Sequence, residues 1–143
     1  MNRSEQIAKE ISVLVPRLQR GMRIASIIPK LTAAQIIVLL SIYEQGMVKA
    51  GALSKDMHVS APTITGIVDR LQRAQYLRRI HDKDDRRAIN IKLTEKGQKE
   101  AKMILVKIRN RWKAILVRLK ESDREHFLET MKKILVVLEK ENA

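Results

Sequence analysis

Between residues 60 and 87 the chain gathers side chains suited to hydrogen bonding and charge pairing rather than to bond making. Ser60, Pro62, Thr63, Thr65, Arg70 and Arg73 come first, and Lys83, Asp85, Arg86 and Arg87 follow within the charged run His81-Asp-Lys-Asp-Asp-Arg-Arg87. Small hydroxyl residues permit close approach to a surface, and guanidinium forks match the oxygens of phosphate. Catalytic alternatives lack their parts. No Ser/His/Asp set, paired carboxylates or Gly-rich phosphate loop is present, and with no cysteine there is no thiol nucleophile or thiolate metal site. His58, His81 and His126 lack the paired spacing of a zinc site. The expectation is therefore a protein that is not an enzyme, with no catalytic residues, no metal and no cofactor.

Charge indicates the partner. Lys and Arg number 29 against 16 Asp and Glu, a formal net charge of +13 that favours a polyanion, nucleic acid first. One Trp, two Tyr and one Phe are too few for a base-stacking platform, which argues against single strands. The charge is uneven: residues 94–120 carry a net +7 and residues 121–143 a net −2. No apolar run approaches the ~18 to 20 residues that span a bilayer, and MNRSEQIAKEI lacks the apolar core of a signal peptide. These features lead us to expect a cytoplasmic protein with no membrane partner. At 143 residues the chain fits one compact domain.

The elements that must position these residues follow from periodicity and capping. Ile7, Ile11, Leu14 and Leu18 form one helical stripe, continued by Met22, with Pro16 expected to kink or restart the helix near Arg17. Thr32-Ala-Ala-Gln35 is a capping box opening a second helix, with Leu31 and Ile36 as its hydrophobic staple and Ile36, Val38, Leu39 and Ile42 as its core face, ending near Gly46. A short helix from about Ala50 to Met57, the tetrad His58-Val59-Ser60-Ala61 and a helix from Pro62 to about Ala74 form a helix-turn-helix. Ser60 suits the N-cap of its second helix. Ile64, Ile67, Val68 and Leu71 face inward there, leaving Pro62, Thr63, Thr65, Gly66, Arg70 and Arg73 outward or flanking.

Tyr76 to Ile80 and Ile89 to Leu93 read as the strands of a hairpin tipped by the charged run. Thr94 caps a long helix with apolar positions from Ala101 to Leu119, and Ser122-Asp-Arg-Glu125 reads as another capping box before a stripe from Phe127 to Leu138. Such long apolar-faced helices call for a partner chain.

This arrangement resembles the MarR family of dimeric winged-helix transcription regulators over nearly the whole chain. The resemblance is carried by LSKDMHVSAPTITGIVDRLQRAQYLRR, by DDRRAINIKLTEKG and by LTAAQIIVLLSIYEQG. It implies a mainly α fold with a small β-hairpin wing, a winged helix-turn-helix over residues 32–93, and dimerisation helices over 1–31 and 94–143. It also implies a recognition helix resembling the family's at Ser60, Thr63, Thr65, Asp69, Arg70 and Leu71, whose hydroxyls and Arg70 meet phosphates and base edges. At the wing tip it implies an Asp-x-Arg at Asp85 and Arg87, the arginine entering the minor groove and the aspartate orienting it, with Arg86 and Lys83 adjacent. Two departures stand out. Ala74-Gln75 occupies the place where the family has Gly after the recognition helix, and the cysteine of the family's redox-sensing branch is absent.

The resulting expectation is a homodimer on a pseudo-palindromic double-stranded operator, a repressor released when a small phenolic or other aromatic ligand wedges between the dimer helices and the reading heads. The alternative is a ligand-independent DNA-binding regulator or architectural protein. An RNA-binding winged helix ranks third, because the deep groove of double-stranded RNA excludes a helix.

Overall fold

The computed structural model describes residues 1–143. Seven helices and three strands follow in the order α1 (Arg3–Met22), α2 (Ile24–Ile27), α3 (Ala33–Gln45), β1 (Met47–Lys49), α4 (Ala50–Asp56), α5 (Ala61–Arg73), β2 (Leu77–His81), β3 (Ile89–Leu93), α6 (Glu95–Leu116) and α7 (Glu121–Glu141). The fold is mainly helical with a small antiparallel sheet ordered β1-β3-β2.

The core lies between α3, α4, α5, the sheet and the first half of α6. Val38, Leu39, Ile42, Leu53, Leu71, Leu77, Ile91 and Ile104 are almost wholly removed from solvent. The Thr32 box forms as expected: Thr32 Oγ1 accepts the Gln35 N–H at 3.2 Å, and the Gln35 side chain accepts the Thr32 N–H at 2.9 Å. The four residues assigned to the core face of α3 are its four buried residues.

Four expectations need correction. Helix α1 runs through Pro16 without restarting; the turns on either side, begun by a reciprocal Asn2–Glu5 capping box, outweigh one missing bond. Helix α6 stops at Leu116, so Leu119 lies in the connection. The Ser122 box does not form, because α7 starts earlier from Lys120, with no side-chain cap. Glu121 and Asp123 instead place negative charge at the positive end of that helix, and Arg124 Nε bonds the Leu119 carbonyl at 3.1 Å. Finally, β2 begins at Leu77, since Tyr76 belongs to the close of α5, and the hairpin gains a third strand, β1.

The close of α5 meets the start of α6. The Tyr76 N–H bonds the Leu71 carbonyl and the Gln75 N–H the Gln72 carbonyl, a Schellman motif that sets Gln75 at φ 66° in the position glycine favours. Thr94 Oγ1 accepts the Gly97 N–H at 3.0 Å, capping α6, and donates to the Gln75 carbonyl at 2.6 Å. A β-carbon on Gly97 would lie 1.9 Å from the Tyr76 carbonyl oxygen, so only glycine permits this approach. Lys96 Nζ bonds the Ala74 carbonyl and sits 4.7 Å from the Tyr76 ring centre. Burial, and secondarily the Glu100 carboxylate, raises the Tyr76 phenol above its ordinary pKa.

Candidate nucleic-acid interface

Helices α4 and α5 are joined by a turn that fixes their angle. The His58 N–H bonds the Lys55 carbonyl and the Val59 N–H the Ser54 carbonyl, with His58 at φ 52°. Ser54 Oγ returns a bond to the Val59 carbonyl at 2.8 Å. Sequence reasoning did not single out Ser54; its spacing of five from Val59 is a signal visible only once the turn is known.

Ser60 caps α5, its Oγ accepting the Thr63 N–H at 3.3 Å and lying 2.8 Å from Thr63 Oγ1. Ile64, Ile67, Val68 and Leu71 are buried, as their spacing predicts, so the helix presents Pro62, Thr63, Thr65, Arg70 and Arg73 to solvent. Thr65 Oγ1 donates to the Ala61 carbonyl at 2.9 Å, which leaves its lone pairs as the groups available to an outside partner.

The wing loop is folded by its acids. The Asp82 carboxylate accepts the Asp84 N–H at 2.9 Å and the Asn90 amide at 3.4 Å, and the Asp82 N–H bonds the Ala88 carbonyl at 3.1 Å. The Asp84 N–H bond first, and the Asn90 bond after it, hold the Asp82 carboxyl below its ordinary pKa against an opposing effect of desolvation. Asp85 Oδ1 accepts the Arg87 N–H at 3.0 Å, and the Asp85 carbonyl accepts the Ala88 N–H.

Asp85 thus holds Arg87 through its backbone and not through a side-chain pair, because no ion pair joins the two; the two ion pairs are Arg79–Asp69 and Lys99–Glu95. A carboxylate two residues ahead of an N–H closes an Asx turn locally, while pairing with the exposed guanidinium would order a long side chain in water. Lys83, Arg86 and Arg87 therefore stand exposed and unpaired, like Arg70 and Arg73.

All ten singled-out residues lie on α5, at its N-cap or in the wing loop. Sequence reasoning gave no role to Arg79 on β2, whose guanidinium reaches Asp69 at 2.6 Å and also donates to Gln72 on α5. No group of three His, Cys, Asp or Glu residues is placed to hold a metal ion. No helix is long and apolar enough to cross a membrane.

Comparison with known proteins agrees with this architecture. Residues 31–89 match the family model described as MarR family. The HTH-type transcriptional repressor MdtR of Bacillus subtilis is 35% identical over 66 residues, covering 46% of this chain and 43% of MdtR. The chain spans about half the length, or less, of the curated relatives it matches. A MarR family protein from Bacillus stearothermophilus superposes with a TM-score of 0.83 at 23% identity, over 96% of this chain and 98% of that one. MepR of S. aureus, solved as a complex with DNA, superposes with a TM-score of 0.71 at 21% identity, over 90% of this chain and 97% of MepR. The match to the MarR family model is thus confined to the winged helix, residues 31–89, while the fold is shared almost end to end with a solved MarR family protein.

Proposed function

We propose that the protein is a transcription regulator that binds double-stranded DNA as a homodimer, α5 entering the major groove and the wing the adjacent minor groove. One observation carries the reading. Three of the four acids of this surface are occupied internally, Asp69 by Arg79 and Asp82 and Asp85 by backbone N–H groups, so that Asp84 is the one carboxylate left free against five unpaired and exposed cations, Arg70, Arg73, Lys83, Arg86 and Arg87. Free cations beside a narrow, strongly negative groove have a favourable partner. Ser60, Pro62, Thr63 and Thr65 supply the close-approach surface, and Thr65, left as an acceptor, suits an exocyclic amine of adenine or cytosine.

In this reading residues 1–143 act as one unit, with 32–93 as the reading head and 1–31 and 94–143 as dimerisation helices. Support comes from apolar side chains that one protomer leaves uncovered. Leu14, Leu128, Leu135 and Leu138 are about half exposed, and no residue of α7 is buried. Two recognition helices must then lie roughly 34 Å apart to enter successive major grooves on one face of the duplex.

A repressor released by a small aromatic ligand is the regulatory form we favour. A cleft of about 280 Å³ between α4, α5 and the sheet, lined by Ala50, Ile64, Val68 and Ile89 with Ser54 and Thr65, gives such a ligand apolar walls and polar anchors. A ligand there would shift α5 directly, rather than by wedging between the dimer helices and the reading heads. A thermal shift with small aromatic acids separates this from the ligand-independent alternative, since binding must stabilise the folded state by mass action.

Titration of the full chain with duplex DNA at increasing salt tests the DNA-binding reading. With ~6 to 10 phosphates engaged, affinity should fall ~10³ to 10⁵-fold between 50 and 200 mM salt. A flat profile would rule it out.

A further inference from the structure

Arg79 sits on the inward face of the sheet, between Leu77 and His81 along β2 and opposite Ile91 on β3. From there its guanidinium crosses to α5. One nitrogen donates to Asp69 Oδ1 at 2.6 Å and the other to Gln72 Oε1, so the fork grips side chains three residues apart on one helix face. The Asp69 and Arg79 side chains are 43% and 28% exposed, so the pair lies at the edge of the α5–sheet junction rather than loose on the surface. It is the only ion pair between different elements of the protomer. An open cleft lined by Asp69, Gln72, Arg73 and Arg79 adjoins it, which places Arg73 beside the pair but outside it.

We infer that Arg79 is a positioning residue for DNA recognition: it ties the recognition helix to the strand leading into the wing and neutralises the one acid on that helix. The inference rests on the DNA-binding reading above. Three features support it. The fork spans two residues of α5, which fixes rotation of the helix about its axis as well as its distance from the sheet; a single point of attachment would fix only the latter. β2 continues directly into the wing loop, so the same guanidinium sets the spacing between the major-groove and minor-groove readers. Asp69, unpaired, would hold a negative charge on a helix that must approach phosphates.

Arg79 thus acts differently from its neighbours Arg70 and Arg73. A phosphate-contacting arginine contributes equally on every sequence and steepens the salt dependence, whereas a positioning arginine contributes mainly on the right sequence.

The test uses the full chain and two duplexes of equal length, one recovered by selection from a random pool with the wild-type protein and one scrambled. Arg79→Ala and Asp69→Ala should each weaken binding to the selected duplex about tenfold or more, with changes of no more than about threefold on the scrambled one. Loss of affinity in Asp69→Ala would be the sharper result, because that change removes a negative charge from a DNA-facing helix. The double variant should be no worse than the weaker single one, as two partners in one interaction require. Arg79→Lys keeps the charge without the fork, so it should match the wild type on scrambled DNA and not on the selected duplex. Should Arg79→Ala fail to fold, Asp69→Asn, which keeps the shape without the charge, carries the same comparison. Equal losses on both duplexes with a shallower salt slope, or an Asp69→Ala protein that binds the selected duplex as well as the wild type, would overturn the inference and leave the DNA-binding reading intact. A wild-type protein that binds neither duplex would overturn both.

Discussion

The carboxylate of Asp85 accepts the backbone N–H of Arg87 at 3.0 Å and makes no ion pair with its guanidinium. The aspartate therefore shapes the loop that carries the arginine, and the guanidinium is left without a partner inside the protomer. Asparagine offers the same acceptor in the same place without the charge. Asp85→Asn should thus retain binding to a selected duplex within a few-fold, while Asp85→Ala and Arg87→Ala should each lose it by about tenfold or more. Titrations on one duplex at fixed salt check this. Equal losses in Asp85→Asn and Asp85→Ala would mean that the charge of Asp85 matters more than its turn.

The junction between α5 and α6 gives two stability predictions of opposite sign. Gly97→Ala drives a methyl group into the Tyr76 carbonyl and should cost about 3 kcal/mol or more in urea unfolding. Gln75→Gly relieves a left-handed residue and should stabilise by about 0.5 to 1 kcal/mol. A neutral Gly97→Ala would contradict the close approach.

How much of this was legible in the sequence depended on the range of the interactions. The Thr32–Gln35 box and the Ser60 cap were readable because donor and acceptor lie three residues apart on the same chain segment. The inward stripe of α5 was readable for the same reason. By contrast, β1 is only three residues long and exists through pairing with β3, more than forty positions away, so no local pattern announces it. Ser122 looked like a cap because its spacing to Glu125 fits, yet the connection from α6 is short enough that the helix begins before it. Ala74-Gln75 lacked the glycine that marks a helix stop, and the Schellman bonds formed nevertheless, with Gln75 taking the strain. At the candidate interface the residue types were legible but their partners were not: the Asp85 carboxylate meets a backbone N–H, and Arg79 meets side chains seven and ten residues earlier.

The uncovered faces of α1 and α7 predict self-association. Leu135 is 51% exposed in the protomer, so Leu135→Asp should leave its fold intact. It should nevertheless shift sedimentation at micromolar concentration from dimer towards monomer, and weaken DNA binding with it, because each half-site alone is weakly held. A wild-type protein that sediments as a folded monomer would contradict the dimer.

The wing should loosen in acid. The Asp82 carboxyl is held below its ordinary value of 3.8, so its ionised form favours the folded loop. That contribution is complete above the ordinary value and is lost as pH falls through the lower folded-state value. The stability difference between wild type and Asp82→Ala should therefore be constant near neutrality and shrink as pH drops below 3.8, as followed by urea unfolding. A difference that widens in acid would reverse the sign of the effect.

The most direct test of the central claim, that α5 and the wing read double-stranded DNA in a symmetric pair, is to sequence the duplex fragments that the purified protein retains from a random pool. The account predicts a pseudo-palindrome whose half-sites are centred about one helical turn apart, roughly 10 base pairs, and that disappears from the retained pool when Arg87→Ala protein is used. Retention of fragments with no shared sequence, or the same enriched sequence with the Arg87→Ala protein, would contradict it.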